Sequence, residues 1–350
     1  MTIFIGPTKK PITGQSKSFY LTYNVYDKKK SLYCYPPKSE SFFLLKNIIF
    51  YISYILTLPF HKGKKVVYLT SSRSLMGFFR DALVILYAKI FGFKIINHLH
   101  GADFLSFRKK SKLKPLIDYV YKKINKSIVL FPKMREQYAM YPAMEVFAIN
   151  NATDFQPLPR VVSINREGLT VGYLSNIMYS KGIFDLISAV NQLVDNGYNI
   201  KLIIAGEILG DSYLNLESTK SSFLEKIKKP FIEYHGSIDG KQKQLFLQET
   251  DLFCLPTFYP TEAQPISIIE AMLAGCVILT TKHNYLPEMI NEKNGYLINK
   301  NDSQSLIDSI QKEYFSTDYH RISSYNMQQG ISEYSFNTYA TNINKHLREQ

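Results

Sequence analysis

The sequence has no tryptophan, only three cysteines and, in its first half, few acids. Cys34, Cys254 and Cys276 are odd in number and far apart, which excludes a disulfide framework and a cysteine zinc site. Reduced thiols in a cytosolic compartment are the expectation. None of the seven histidines forms an H-E-x-x-H pair. His98 and His100 would share one face of a strand, but no third ligand stands near them, so no metal is expected. The glycine spacings of a dinucleotide fingerprint and of a Walker loop are both missing. The start, "MTIFIGPTKKP", has too short an apolar run to read as a signal peptide. Nothing is low in complexity, and 45% of the 350 residues are hydrophobic. That suffices for a large core and for roughly two domains.

Charge is placed unevenly. Residues 1–150 carry 25 Lys+Arg against 7 Asp+Glu, a net of +18, and residues 151–350 carry 17 against 22, a net of −5. The densest stretch, "RKKSKLKPLIDYVYKKINKS" at 108–127, has eight basic residues and the single acid Asp118. Such a half attracts anionic lipid head groups, phosphate-bearing substrates or nucleic acid; a solvated helix face is the plain alternative. "FFLLKNIIFYISYILTLPF", 42–60, approaches membrane-spanning length, but Lys46, Asn47 and Ser53 interrupt it and Pro59 closes it. A helix buried on one domain's sheet is the favoured reading, and a membrane-dipping helix is the alternative.

Strand-like and helix-like runs alternate through both halves. "TIFIG", "KKVVYLT", "KIINHLHG" and "SIVLFP" read as strands of the first half, with "GFFRDALVILYAKIFG" a helix between two of them. "NNATDFQPLPR", 150–160, breaks the pattern as a linker. "LTVGYLS", "NIKLIIAGE", "FIEYHGS", "DLFCLPT" and "VILTT" continue it, separated by helical stretches. The alternation predicts an α/β chain of two doubly wound, Rossmann-like domains facing a cleft, with ligands beyond the carboxyl ends of the strands. The expected boundaries are 1–155, 156–330 and a C-terminal helix over 331–350, possible as a crossing back to the first domain.

The chemistry concentrates in "PTEAQPISIIEAMLAGC", 260–276, where Glu262 and Glu270 stand eight residues apart. Pro265 suits a first helical position, leaving the amides of Ile266, Ser267 and Ile268 free at a positive helix end that can receive phosphate. Carboxylates repel phosphate, so hydroxyls are the partners expected of the two acids. A nucleotide sugar offers both. The competing structural reading is a capping Glu262 and a partly buried, salt-bridged Glu270. Gly275, Ala271 and Ala274 read as small residues for close helix–sheet packing. Lys181 in "LSNIMYSKG" would stand at a helix start near the same edge, where it can neutralise a diphosphate. In the loop after the first strand, Gly14 would let the backbone approach a ligand. His100 would project at a strand's carboxyl edge, followed by Asp103.

Taken together, these residues resemble the retaining glycosyltransferases of the GT-B fold, specifically glycosyltransferase family 4. The pattern E-x(7)-E followed by A-M-x-A-G is Glu262, Glu270, Ala271, Met272, Ala274 and Gly275. "ITGQS", His100–Gly101, "NNATDFQP", "SKGIFDLISAV" and "LPEMINEKNGYLI" follow the family's order over about residues 1 to 300. The resemblance implies that Glu262 holds hydroxyls of the transferred sugar, with backbone amides around Gln264 to Ile266. It implies Glu270 on the nucleotide ribose, Lys181 on the diphosphate with Gly14 approaching from the other domain, and His100 on the sugar. The base would lie near Gly236–Ile238. Asp103 is placed on the acceptor side. Many members carry an arginine a few residues before the lysine; here Ser175 or Asn176 stands there. Gln264 also departs from the pattern and is a candidate for sugar preference.

The function this implies is transfer of a hexose or N-acetylhexosamine from a nucleotide sugar, UDP-sugar favoured, to a glycan or lipid-linked sugar acceptor in surface polysaccharide synthesis. No metal or other cofactor is expected. The basic half would hold the protein peripherally on the anionic inner face of the cell membrane. An epimerase-like enzyme of the same fold is the alternative, and a nucleic-acid-binding protein, with no role for the acids and the lysine, is the remote one.

Overall fold

The computed structural model describes residues 2–10, 13–37, 40–62, 65–160 and 167–348. Pro11 and Ile12, in the loop before Gly14, lie outside them. The elements in chain order are β1 (Thr2–Pro7), α1 (Gly14–Val25), β2 (Lys30–Tyr35), α2 (Phe43–Thr57), β3 (Val66–Thr70), α3 (Leu75–Ile90), β4 (Lys94–His98), α4 (Phe104–Lys110), α5 (Lys114–Tyr121), β5 (Lys126–Val129) and β6 (Glu145–Ala148). There follow β7 (Leu169–Leu174), α6 (Ile183–Asp195), β8 (Ile200–Ala205), α7 (Leu216–Lys226), β9 (Ile232–Tyr234), α8 (Gly240–Glu249), β10 (Leu252–Leu255), α9 (Ile266–Leu273), β11 (Val277–Thr281) and β12 (Gly295–Ile298), then α10 (Ser303–Tyr314), α11 (Tyr319–Tyr334) and α12 (Phe336–Arg348).

Two compact units result: Met1–Ala152 with Phe336–Gln350, and Thr153–Ser335. Each is built on a six-stranded sheet, ordered β2-β1-β3-β4-β5-β6 in the first and β12-β11-β10-β7-β8-β9 in the second. Every strand pairing is parallel. Parallel strands need helical crossovers that cover the sheet faces, which is why "VVYLT" and "VILTT" can be apolar and wholly buried. Both orders reverse once. In the first sheet the reversal lies between β1 and β3, and in the second between β7 and β10. These are the switch points at which loops diverge and open a crevice at the carboxyl edge.

In the first unit, Thr13 and Ser16 form a capping box that starts α1 at Gly14: the Ser16 amide donates to Thr13 Oγ1 at 3.1 Å, and the Thr13 amide to Ser16 Oγ at 2.8 Å. Phe4, Phe19 and Tyr68 pack between α1 and the sheet, and α12 adds Tyr339, Ile343 and Leu347 to the same core. The Thr22 and Tyr339 hydroxyls bond at 2.5 Å and fix α12 to α1.

The 42–60 segment corrects the sequence reading. It is helical as α2, but it is not buried on the sheet: only 17% of the residues of Phe43–Phe60 are buried. Phe50, Tyr54 and Leu58 are buried, while Leu44, Leu45, Ile48, Ile49, Ile52 and Leu56 are each more than half exposed. One stripe meets the domain and the opposite apolar stripe is exposed among the described residues.

In the second unit, α9 runs against α11 as well as β10 and β11. The small residues therefore serve helix–helix contact, and not the helix–sheet packing alone that their sequence suggests. Gly275, just past α9, takes φ +77°, and a Cβ there would lie 2.6 Å from Ser323 Oγ on α11. Asn326 of α11 ties the unit together by donating its amide to the carbonyls of Cys276 (2.7 Å) and Asn294 (3.0 Å).

Candidate functional site

The predicted residues fall into two groups, one per unit. In the second unit they gather beyond the carboxyl ends of β7, β9 and β10. Ser175 follows β7 with its amide bonded to the Ala205 carbonyl at 3.1 Å, and Ile238 lies half-buried in the loop after β9. Lys181 closes the turn between β7 and α6, and Glu262 lies in the loop between β10 and α9. Because β7 and β10 are the strands flanking the sheet's reversal, Lys181 and Glu262 stand on the two sides of its switch point.

Although 81 residues apart, these two form a short ion pair, Lys181 Nζ donating to Glu262 Oε2. Both side chains are largely buried, at 12% and 11% exposure. The Thr257 hydroxyl donates to the same Oε2 at 3.3 Å, and the Lys181 ammonium sits 4.7 Å from the Tyr259 ring centroid. Oε1 of Glu262 takes neither of these bonds.

The backbone around the pair is fastened. Ser180 is buried; its amide and hydroxyl donate to Asp211 Oδ2 at 2.7 and 2.6 Å, and its carbonyl accepts from the Phe258 amide at 2.8 Å. Burial pushes the Asp211 carboxyl up, but hydrogen bonds from Ser180 and from the Tyr213 and Leu214 amides outweigh it and hold the group below the usual carboxylate range. On the β10 side, Asn284 donates to the carbonyls of Pro260 (3.1 Å) and Glu262 (2.8 Å), and His283 Nε2 lies 2.9 Å from the Tyr259 carbonyl. Asp211, His283 and Asn284 escaped the sequence reading. They are ordinary loop residues whose partners lie tens of positions away.

Gly182, directly after Lys181, takes φ +75°, and a Cβ there would meet the Pro256 carbonyl oxygen at 2.2 Å. Gly182→Ala is expected to cost roughly 1–3 kcal/mol through the left-handed backbone and that contact, read as a lower denaturant midpoint. An unchanged midpoint would show the turn to be less constrained.

The helix end differs slightly from expectation. Pro265 is the residue preceding the helix, not its first residue, and its carbonyl accepts from the amides of Ile268 (3.2 Å) and Ile269 (3.4 Å). Ile268 is thereby removed from the free set, because its donor is spent on the first turn. Ile266 and Ser267 keep amides with no acceptor inside the helix, aimed along the positive end of its dipole. Gln264 is buried beside them.

Glu270 is buried within α9, 3% exposed, and does not open freely above the helix end. Its Oε1 accepts from Lys243 Nζ at 2.7 Å and from the Thr153 hydroxyl at 3.2 Å. Glu270 is thus salt-bridged as well as buried. Lys243 sits on α8, and no sequence signal marked it.

In the first unit, Gly14 is exposed at the start of α1, with open space where a Cβ would go. His100 follows β4 and stacks on His98 with ring centroids 3.9 Å apart; His98 Nδ1 is 2.6 Å from the Tyr68 hydroxyl. Burial first, and then the Arg73 charge, push the His100 imidazole down to about 3, so it is neutral near pH 7. Asp103 is paired with Arg73 at 2.5 Å, in the loop after β3 beside this sheet's switch point. Arg73 was unmarked in the sequence. Among the described residues, no group of three His, Cys, Asp or Glu side chains is placed to hold a metal ion.

A family profile described as "Glycosyl transferases group 1" matches residues 154–328, half of the chain. The chain belongs to this family. Among its relatives are the capsular polysaccharide biosynthesis glycosyltransferase CapM of Staphylococcus aureus, 23% identical over 146 residues that are 42% of this chain and 37% of CapM. Another is the lipopolysaccharide 1,2-N-acetylglucosaminetransferase of Salmonella typhimurium, 25% identical over 199 residues, 55% of this chain and 51% of that one. The matched stretches thus span about a third to a half of these relatives. The fold matches more widely than the sequence: Anabaena HepE, solved with UDP and glucose, superposes over 100% of both chains with a TM-score of 0.73 at 14% identity. The chain carries two Rossmann-like domains, and the one covered by the family profile holds Lys181, Glu262 and Glu270.

Proposed function

We propose that this group 1 glycosyltransferase moves a hexose or N-acetylhexosamine from a nucleotide sugar, UDP-sugar favoured, to a hydroxyl of a lipid-linked glycan acceptor, with retention of anomeric configuration. The Lys181–Glu262 pair at the β7/β10 switch point, beside the free amides of Ile266 and Ser267, is the observation that carries this reading. It supplies a cation and two amides for a diphosphate and a carboxylate for sugar hydroxyls within one loop cluster. The complexes of HepE with UDP and glucose and with UDP-glucose lend support to the donor class.

In this mechanism the bond from the sugar's anomeric carbon to the diphosphate oxygen breaks. The growing charge is met by Lys181 and by the α9 amides. The acceptor oxygen bonds to the same face of that carbon, and its proton passes to the departing diphosphate. No side-chain nucleophile is needed, and the positive charge comes from the chain itself without a metal. Glu262 keeps Thr257 and Lys181 on Oε2 and turns Oε1 to the sugar; Glu270 keeps Lys243 and Thr153 on Oε1 and offers Oε2 to the ribose. Ser175, Gln264 and Ile238 complete the donor contacts of the second unit. The protein acts in surface polysaccharide assembly, peripheral to the inner face of the membrane, where its basic half meets anionic lipid; nucleic acid is not among its partners.

The test is a donor panel of UDP- and GDP-hexoses and N-acetylhexosamines, followed by calorimetry and by product analysis with and without acceptor. Lys181→Ala is expected to weaken binding of the preferred donor by about tenfold or more, the value of one lost charge-assisted contact. Unchanged affinity would remove Lys181 from the diphosphate site. Epimerised sugar without acceptor would overturn transfer.

A further inference from the structure

The apolar stripe of α2 does not stand alone. Leu44, Ile48, Ile52 and Leu56 recur every fourth residue, with Leu45 and Ile49 beside them, so one whole face of the helix is apolar and exposed. α3 lies alongside: the Tyr54 hydroxyl donates to the Val84 carbonyl at 3.0 Å, and the Tyr87 hydroxyl to the Ile55 carbonyl at 2.9 Å. α3 exposes Met76, Phe79, Leu83 and Ile90. Two neighbouring helices thus both expose large apolar side chains to water.

Charge identifies the occupant. α3 packs beside α5, and α4 beside α5. On α4, α5 and the turns after them, Lys109, Lys110, Lys112, Lys114, Lys122 and Lys123 are exposed. The acid among them, Asp118, is taken by Arg108 at 2.6 and 2.7 Å. On α2 and α3 the acid is Asp81, which is buried against Arg80. An apolar face with a basic rim and no unpaired acid suits a surface that is apolar below and anionic above.

We infer that the outward faces of α2 and α3 insert into the interfacial layer of an anionic bilayer, with the lysines of α4 and α5 on the head groups. This rests on the peripheral membrane reading and adds its mode: insertion of named side chains, beyond attraction of charge. The helix lies in the plane and does not span. Phe50, Tyr54 and Leu58 are buried and hold the inner stripe to the domain, so the helix stays on the domain surface.

The absence of tryptophan gives a direct test. Ile52→Trp places a single reporter on the face, and Tyr213→Trp, on an exposed residue of the second unit, is the control. With vesicles of phosphatidylcholine and phosphatidylglycerol, Ile52→Trp emission is expected to shift blue and to be quenched by brominated acyl chains, while Tyr213→Trp is not. Ile48→Asp with Ile52→Asp, both more than half exposed in the fold, should leave the melting curve unchanged and lower vesicle partitioning by about tenfold or more. Cosedimentation without quenching overturns insertion and leaves the peripheral reading standing. No cosedimentation at any salt overturns both. Blue emission without vesicles that is lost on dilution means a second copy covers the face, and it overturns the inference too.

Discussion

Glu262→Ala is expected to lower transfer by two to four orders of magnitude while the protein keeps its fold. In the proposed reaction the carboxylate holds sugar hydroxyls in a largely buried place, at 11% exposure. Each hydrogen bond to such a charge is worth about 1.5–3 kcal/mol, so losing two removes about 3–6 kcal/mol, roughly 10²–10⁴ in rate. Glu262→Ala also frees Lys181, whose ammonium then keeps the Tyr259 ring but loses its carboxylate partner at the switch point. The fold should survive because the loop is held by its backbone: Asn284 grips the carbonyls of Pro260 and Glu262 whatever side chain stands at 262. The measurements are turnover with the preferred donor and a melting curve. Glu262→Gln should fall between, keeping an acceptor oxygen and losing the charge. Near-normal turnover in Glu262→Ala would remove this residue from the chemistry.

For Lys243→Ala the expected loss is in stability first. Glu270 is 3% exposed, and the Lys243 ammonium at 2.7 Å compensates its charge; Thr153 alone would remain, at 3.2 Å. Stranding a buried carboxylate costs about 3–5 kcal/mol. For a unit of this size that is a fall in Tm on the order of 10 °C. Lys243→Ala combined with Glu270→Gln should recover most of it, since a neutral amide still meets the Thr153 hydroxyl with no charge left buried. An unchanged Tm in Lys243→Ala would mean that Glu270 is not held by this lysine. If the ribose assignment also holds, the double variant stays folded but binds nucleotide more weakly.

These two predictions rest on residues of unequal visibility. Glu262 and Glu270 were legible because their spacing, the proline between them and the small-residue run after them lie within one short stretch. Lys243 was not, because a lysine on a polar helix reads as solvated until the fold brings it to a carboxylate 27 positions later. Arg73 against Asp103 is a similar case.

By itself, the sequence determined the alternation of strands and helices, the parallel sheets, the loop–helix unit bearing both acids, and the charge asymmetry between halves. All of these are written in local patterns of a few to twenty residues, where backbone geometry and burial act directly. β2, β6 and β12 escaped that reading; β2 and β6 are the edge strands of the first sheet and β12 an edge strand of the second, and most of their residues are only half-buried. Tertiary structure alone decided which strands flank each switch point, that Lys181 meets Glu262 across 81 residues, and that Glu270 is shared with Lys243. It also decided the state of α2. A strongly apolar helix reads as buried, but burial depends on what packs against it, and here the domain covers one stripe and leaves the other exposed.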